Sequence, residues 1–143
     1  MKNLVLSVAV LLTACLNVFG QQNGASAYEL VVKCGTVSVY SGNNEFRMVI
    51  GSIQNPKASF LLGVLPESAA SQMDRIVKMG EKEVAPGVKR TFQFCGEPFL
   101  FDVSGTGEKR KYSFRGIDTP VKFSLTEKEV QSIKSAVLNL THD

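Results

Sequence analysis

The chain of 143 residues carries 16 basic and 13 acidic side chains, a net charge of +3 with its one histidine neutral, and is 44% hydrophobic. So small an excess is too little to imply a polyanion partner. The apolar content and the mixing of both charge signs exclude wholesale disorder, and the length suits one domain with a single core.

Met1-Lys2-Asn3 gives a short positive start, and Leu4 to Phe19 is an apolar run broken only by Ser7, Thr13 and Asn17. This pattern reads as a secretory signal peptide over residues 1–20, with cleavage after Gly20 where Gln21-Gln22-Asn23-Gly24 turns polar. The run is short of the ~20 apolar residues that a spanning helix needs. A competing reading takes Leu12-Thr13-Ala14-Cys15 as a lipobox, in which Cys15 would be lipidated and would tether the domain to a membrane. Against it, apolar character continues through Leu16, Val18 and Phe19, where a polar tether is expected. Residues 21–27 read as a flexible tether and 28–140 as a single domain. Removal of Lys2 with the signal leaves 15 basic against 13 acidic residues, or +2. The protein is expected to be exported, periplasmic or extracellular, and envelope-anchored only if Cys15 is lipidated.

Tyr28 to Tyr40 reads as a β-branched strand whose apolar parity changes at Gly35, which a β-bulge there would restore. Ser41-Gly42-Asn43-Asn44 is turn chemistry, so Glu45 to Ile53 is expected to return as the second arm of a hairpin. Asn55-Pro56 breaks that strand, and Ala58 to Leu65 gives a third with apolar residues on both faces. Pro66 suits the first position of a helix. Ala69, Met73, Ile76 and Val77 then mark one apolar face of a helix over about 66–79.

After a charged loop ending in Ala85-Pro86-Gly87, Phe92 and Phe94, then Phe99, Phe101 and Val103, then Tyr112 and Phe114, and finally Val121, Phe123 and Leu125 alternate as successive strands. Thr126 and Glu129 form a capping box, with Leu125 and Val130 placed as a hydrophobic staple, and they open a helix over about 127–140. The expected fold is α+β: a mainly antiparallel sheet of six or seven strands, or a partly open barrel, with two helices. The long link from Leu65 to Val88 leaves room for one parallel pairing. The order of strands and helices hints at two similar halves, without residue identity strong enough to use.

With Cys15 removed, Cys34 and Cys95 remain as an even pair, and in an oxidising compartment they are expected to form a disulfide. Loop-closure entropy over the span between them puts its contribution at about 4 kcal/mol. Two cysteines and the terminal His142 lack the paired spacing of a zinc site, so neither metal nor cofactor is expected. His142 is also too near the chain end to hold a nucleophile's base. Asp102 and Asp118 are the carboxylates that acid–base chemistry could use if they converged in a cleft.

Lys109-Arg110-Lys111-Tyr112 is the one dense basic cluster, with Arg115 close by and Lys89-Arg90 on a candidate neighbouring strand. Strand alternation places Lys109, Lys111 and Arg115 on one face, as candidate anion-binding residues, and Arg110 on the other. Edge strands also carry lysine simply to block aggregation. The sequence therefore favours a non-enzymatic exported module, an envelope-associated adaptor or inhibitor acting on another exported or envelope protein, with no nucleic-acid partner. A small apolar-ligand carrier with a Phe-lined pocket comes second, and a carboxylate-dependent hydrolase third.

Overall fold

The computed structural model describes residues 28–82 and 89–140; the expected signal peptide, the tether and Cys15 lie outside them. Ten elements follow in order: β1 (Glu29–Cys34), β2 (Val37–Gly42), β3 (Glu45–Gly51), β4 (Pro56–Gly63), α1 (Pro66–Glu81), β5 (Arg90–Phe94), β6 (Glu97–Ser104), β7 (Lys111–Gly116), β8 (Lys122–Thr126) and α2 (Glu127–Asn139). The class is α+β. The strands form two four-stranded meanders, β1-β2-β3-β4 and β5-β6-β7-β8, and every described pairing is antiparallel. The expected single sheet of six or seven strands is therefore corrected to two sheets. No barrel closes, and no parallel pair joins the halves among the described residues.

The first half has four strands because the chain turns at Gly35. Cys34 pairs directly with Val37, so Gly35-Thr36 is a two-residue hairpin loop and not a bulge within one long strand. Gly35 has φ 64° at the first central position, the conformation a primed turn demands there. The parity change read in the sequence is the chain reversing direction. The irregularity in this pair lies instead between Leu30 and Val32. Asn43-Asn44 and Cys95-Gly96 close two further two-residue loops with positive φ at both central residues, which is type I′ geometry. The last of these reverses the chain between β5 and β6.

Each sheet is followed by its helix, so the chain is a ββββα unit used twice. The halves interlock: α1 packs on α2 and β4, while α2 reaches back to β1 of the first sheet as well as β8 of its own. Ala69, Ala70, Met73 and Ile76 of α1 and Val130, Ile133 and Val137 of α2 are all buried. A Lys134–Asp74 ion pair at 2.9 Å crosses between the helices. The capping box of α2 is present, with Thr126 Oγ1 accepting from the Glu129 amide at 3.1 Å and a Glu129 carboxylate oxygen accepting from the Thr126 amide at 2.9 Å.

The core is dominated by aromatic rings on the inner face of the second sheet. Phe60 of β4 joins them, 5.7 Å from Phe99 and 6.4 Å from Phe123 between centroids, so the two sheets share one interior.

Cys34 and Cys95 are not bridged in the structure. The topology explains this. Cys34 ends the edge strand of one sheet, and Cys95 is a central residue in the first hairpin turn of the other. Their surroundings differ accordingly. Burial raises the Cys34 thiol above its ordinary pKa, with the Glu129 carboxylate adding to the effect. Burial pushes Cys95 up to about 12, against the opposing pull of Arg75 and Arg47.

Candidate functional site

Because side chains alternate across a strand, burying the aromatics on one face of the second sheet forces the intervening residues onto the other. Pairing register turns that outer face into a grid. Leu100 of β6 lies opposite Arg115 of β7, which lies opposite Lys122 of β8. In the next row Asp102 faces Ser113, and Ser113 faces Ser124. Beyond it Ser104 faces Lys111, and Lys111 faces Thr126. This face floors an open cleft of about 850 Å³, with Lys89 on its rim and the Cys34–Thr36 turn and Glu129 forming a wall.

Lys89, Lys111, Arg115 and Lys122 are all exposed and line this cleft. The carboxylates beside them are Asp102 and Glu129. The ion pairs among the described residues are Arg47–Glu45 and Lys134–Asp74, so none of the four cations is neutralised by a salt bridge. Arg115 and Lys122 stand directly opposite each other, an arrangement of like charges that costs a sheet stability.

Lys111 and Arg115 thus share a face, as strand alternation requires. Lys109 does not join them: Gly107–Lys109 is a 3-10 turn, closed by the Arg110 amide on the Gly107 carbonyl, so alternation begins only after it. Arg110 goes to the other side, where the Tyr112 phenol and, more weakly, the Glu127 carboxylate favour its charged form. Lys89 and Arg90 separate in the same way. Lys89 reaches the cleft, while Arg90 donates to the Met79 carbonyl and lies 5.8 Å from the Phe101 ring centroid. Lys122 is the residue that sequence reading missed. Alternation in Lys122-Phe123-Ser124-Leu125 turns Lys122 and Ser124 outward, opposite Phe123 and Leu125, but does not say which strand lies beside them.

Asp102 is exposed on the grid, and Asp118 lies in the exposed loop between β7 and β8, outside the cleft lining. Among the described residues no group of three or more histidine, cysteine, aspartate and glutamate side chains is placed to hold a metal ion. No described helix is long and apolar enough to cross a membrane.

The inner side of the same hairpin is locked by Tyr112, which is fully buried, stacks on Phe101 and donates its hydroxyl to Glu127. Burial and that hydrogen bond raise the phenol to about 12, with Arg110 acting in the opposite sense. The unfolded phenol titrates near pH 10. Because the folded value is raised, the stability linked to this proton is complete below about pH 10 and is lost as pH rises toward 12. Urea unfolding of wild type and Tyr112→Phe from pH 8 to 11.5 should show a stability difference that is constant to about pH 10 and then shifts steadily against wild type. A pH-independent difference would contradict the assignment.

No family model matches the chain, and no curated protein matches it.

Proposed function

We propose that the protein is an exported, non-enzymatic interaction module, an adaptor or inhibitor that presents the outer face of its second sheet to an acidic segment of a partner protein. The observation that carries this reading is the set of four exposed cations in one cleft, none of them in a salt bridge among the described residues. A folded sheet gains nothing from Arg115 opposite Lys122. An anionic partner does, since it neutralises both charges and its complementary potential steers it to this face. The aromatic residues favour this reading over a carrier. Phe92, Phe94, Phe99, Phe101, Phe114 and Phe123 direct their rings at one another within 4.6–6.4 Å.

The test is co-purification from the native envelope or medium, with wild type and the triple variant Lys111→Ser, Arg115→Ser, Lys122→Ser as baits. Wild type is expected to retain an acidic partner in low salt and release it as salt rises, and the triple variant is expected to lose it. Folding should be unaffected, because exposed charges contribute little to stability. Recovery of the same partner at the same salt by both baits would remove this face from the function.

A further inference from the structure

Within that face, and resting on the reading of it as an acidic-partner surface, we propose a specific subsite: Arg115, Lys122, Ser113 and Ser124 bind a tetrahedral oxyanion, the sulfate or phosphate ester of a modified partner side chain. The four residues occupy a two-by-two block of the sheet. Arg115 pairs with Lys122, Ser113 pairs with Ser124, and the two pairs are consecutive on the outer face of the same two strands. Directly opposite side chains in a sheet start about 5 Å apart, and same-face neighbours along a strand lie about 7 Å apart. Four donors of that spacing, two of them on long side chains, are within reach of one small anion.

The donor chemistry discriminates among anions. A guanidinium offers a planar fork of N–H groups suited to two oxygens of one anion, an ammonium offers a compact charge, and each serine hydroxyl donates one hydrogen bond. A tetrahedral ester group has three terminal oxygens and can use the cations and a hydroxyl together; a carboxylate has two and leaves donors unfilled. Leu100, the direct neighbour of Arg115 on β6, supplies apolar surface beside the charged pair for the group that carries the ester. Asp102 sits beside Ser113 on the opposite side from Ser124, so it bounds the block and confines the anion to the β7–β8 half of the face.

Three short peptides of one sequence, with sulfotyrosine, phosphotyrosine or glutamate at the central position, test the proposal by calorimetric titration against the full protein. Either ester peptide is expected to bind at least tenfold more tightly than the glutamate peptide, and which of the two is stronger identifies the ester. Inorganic sulfate or phosphate should compete. Arg115→Gln and Lys122→Gln should each weaken ester binding tenfold or more and melt at or above the wild-type temperature, since each removes a like-charge opposition. Ser113→Ala with Ser124→Ala should weaken it severalfold, and Arg110→Gln should leave it unchanged. Equal binding of the glutamate peptide, lost in the Lys111, Arg115 and Lys122 triple variant, would overturn the oxyanion subsite while leaving the acidic-partner face standing. Failure of all three peptides to bind would overturn both.

Discussion

Phe114→Ala is expected to destabilise the protein by about 3–5 kcal/mol, the range for truncating a fully packed aromatic side chain. Phe114 is 1% exposed and is the hub of the aromatic interior. Its ring stacks on Phe123 at 4.6 Å and 8°, and it meets Phe101 at 5.2 Å, Phe94 at 5.4 Å, Phe99 at 5.7 Å and Phe92 at 6.2 Å. Removing it takes one partner from each of five rings that are fixed in a sheet and cannot collapse onto the void. Natural domains are stable by only ~5–15 kcal/mol, so the variant would be close to unfolding at physiological temperature. The measurement is the shift in urea midpoint at unchanged slope, with Leu61→Ala on the exposed side of β4 as a control. Leu61 is 43% exposed, and its loss should be well below that of Phe114. A Phe114→Ala loss below 1 kcal/mol would mean that these rings do not share one packed interior.

The same cluster shows how much of this molecule its sequence reveals. Phe92, Phe94, Phe99, Phe101, Phe114 and Phe123 were each placed inward by a period-2 pattern, and each is buried. Helix α2 was equally legible, because Thr126 and Glu129 carry its start chemically. Pairing between strands was not legible, since alternation says which face a residue takes and nothing about which strand lies beside it. One glycine therefore changes the strand count: at Gly35 a bulge and a two-residue turn both explain the parity change, and only the Cys34–Val37 pairing decides between them. The expected cysteine bridge depends on the same long-range information. An even pair implies a bridge only if the fold brings the strands together, and Cys34 and Cys95 belong to edge strands and turns of separate sheets.

The candidate site divides along the same line. Lys111 and Arg115 could be assigned to one face because they lie two steps apart twice over on one strand, β7. Lys109 could not, because local turn geometry at Gly107–Lys109 overrides strand alternation. Lys122 joins the site only through the register of β7 with β8, a long-range property with no local signature. The strongest feature of the face, two cations directly opposed, is therefore invisible until the pairing is known.

Gly80→Ala is expected to destabilise the protein, although helix propensity argues the reverse. Alanine in a helix interior is favoured over glycine by up to about 1 kcal/mol, so an exposed glycine of α1 would gain from the change. Gly80, however, backs onto the Tyr112 ring. A Cβ there would lie 3.2 Å from Tyr112 Cδ1, a tight contact, and 2.5 Å from Cε1, closer than real carbon–carbon contacts come. Tyr112 has no room to retreat, since it is fully buried, stacked on Phe101 at 11° between ring planes, and held at its far end by Glu127. The helix must shift instead, and overpacking of this kind costs about 1–3 kcal/mol, which outweighs the propensity gain. A double-mutant cycle separates the two effects. In the Tyr112→Ala background, already weakened by its own cavity, Gly80→Ala should become neutral or stabilising by up to about 1 kcal/mol, because only the propensity difference remains. Equal effects of Gly80→Ala in both backgrounds would show that α1 and the β7 strand do not approach closely at this point, and that the glycine is there for another reason.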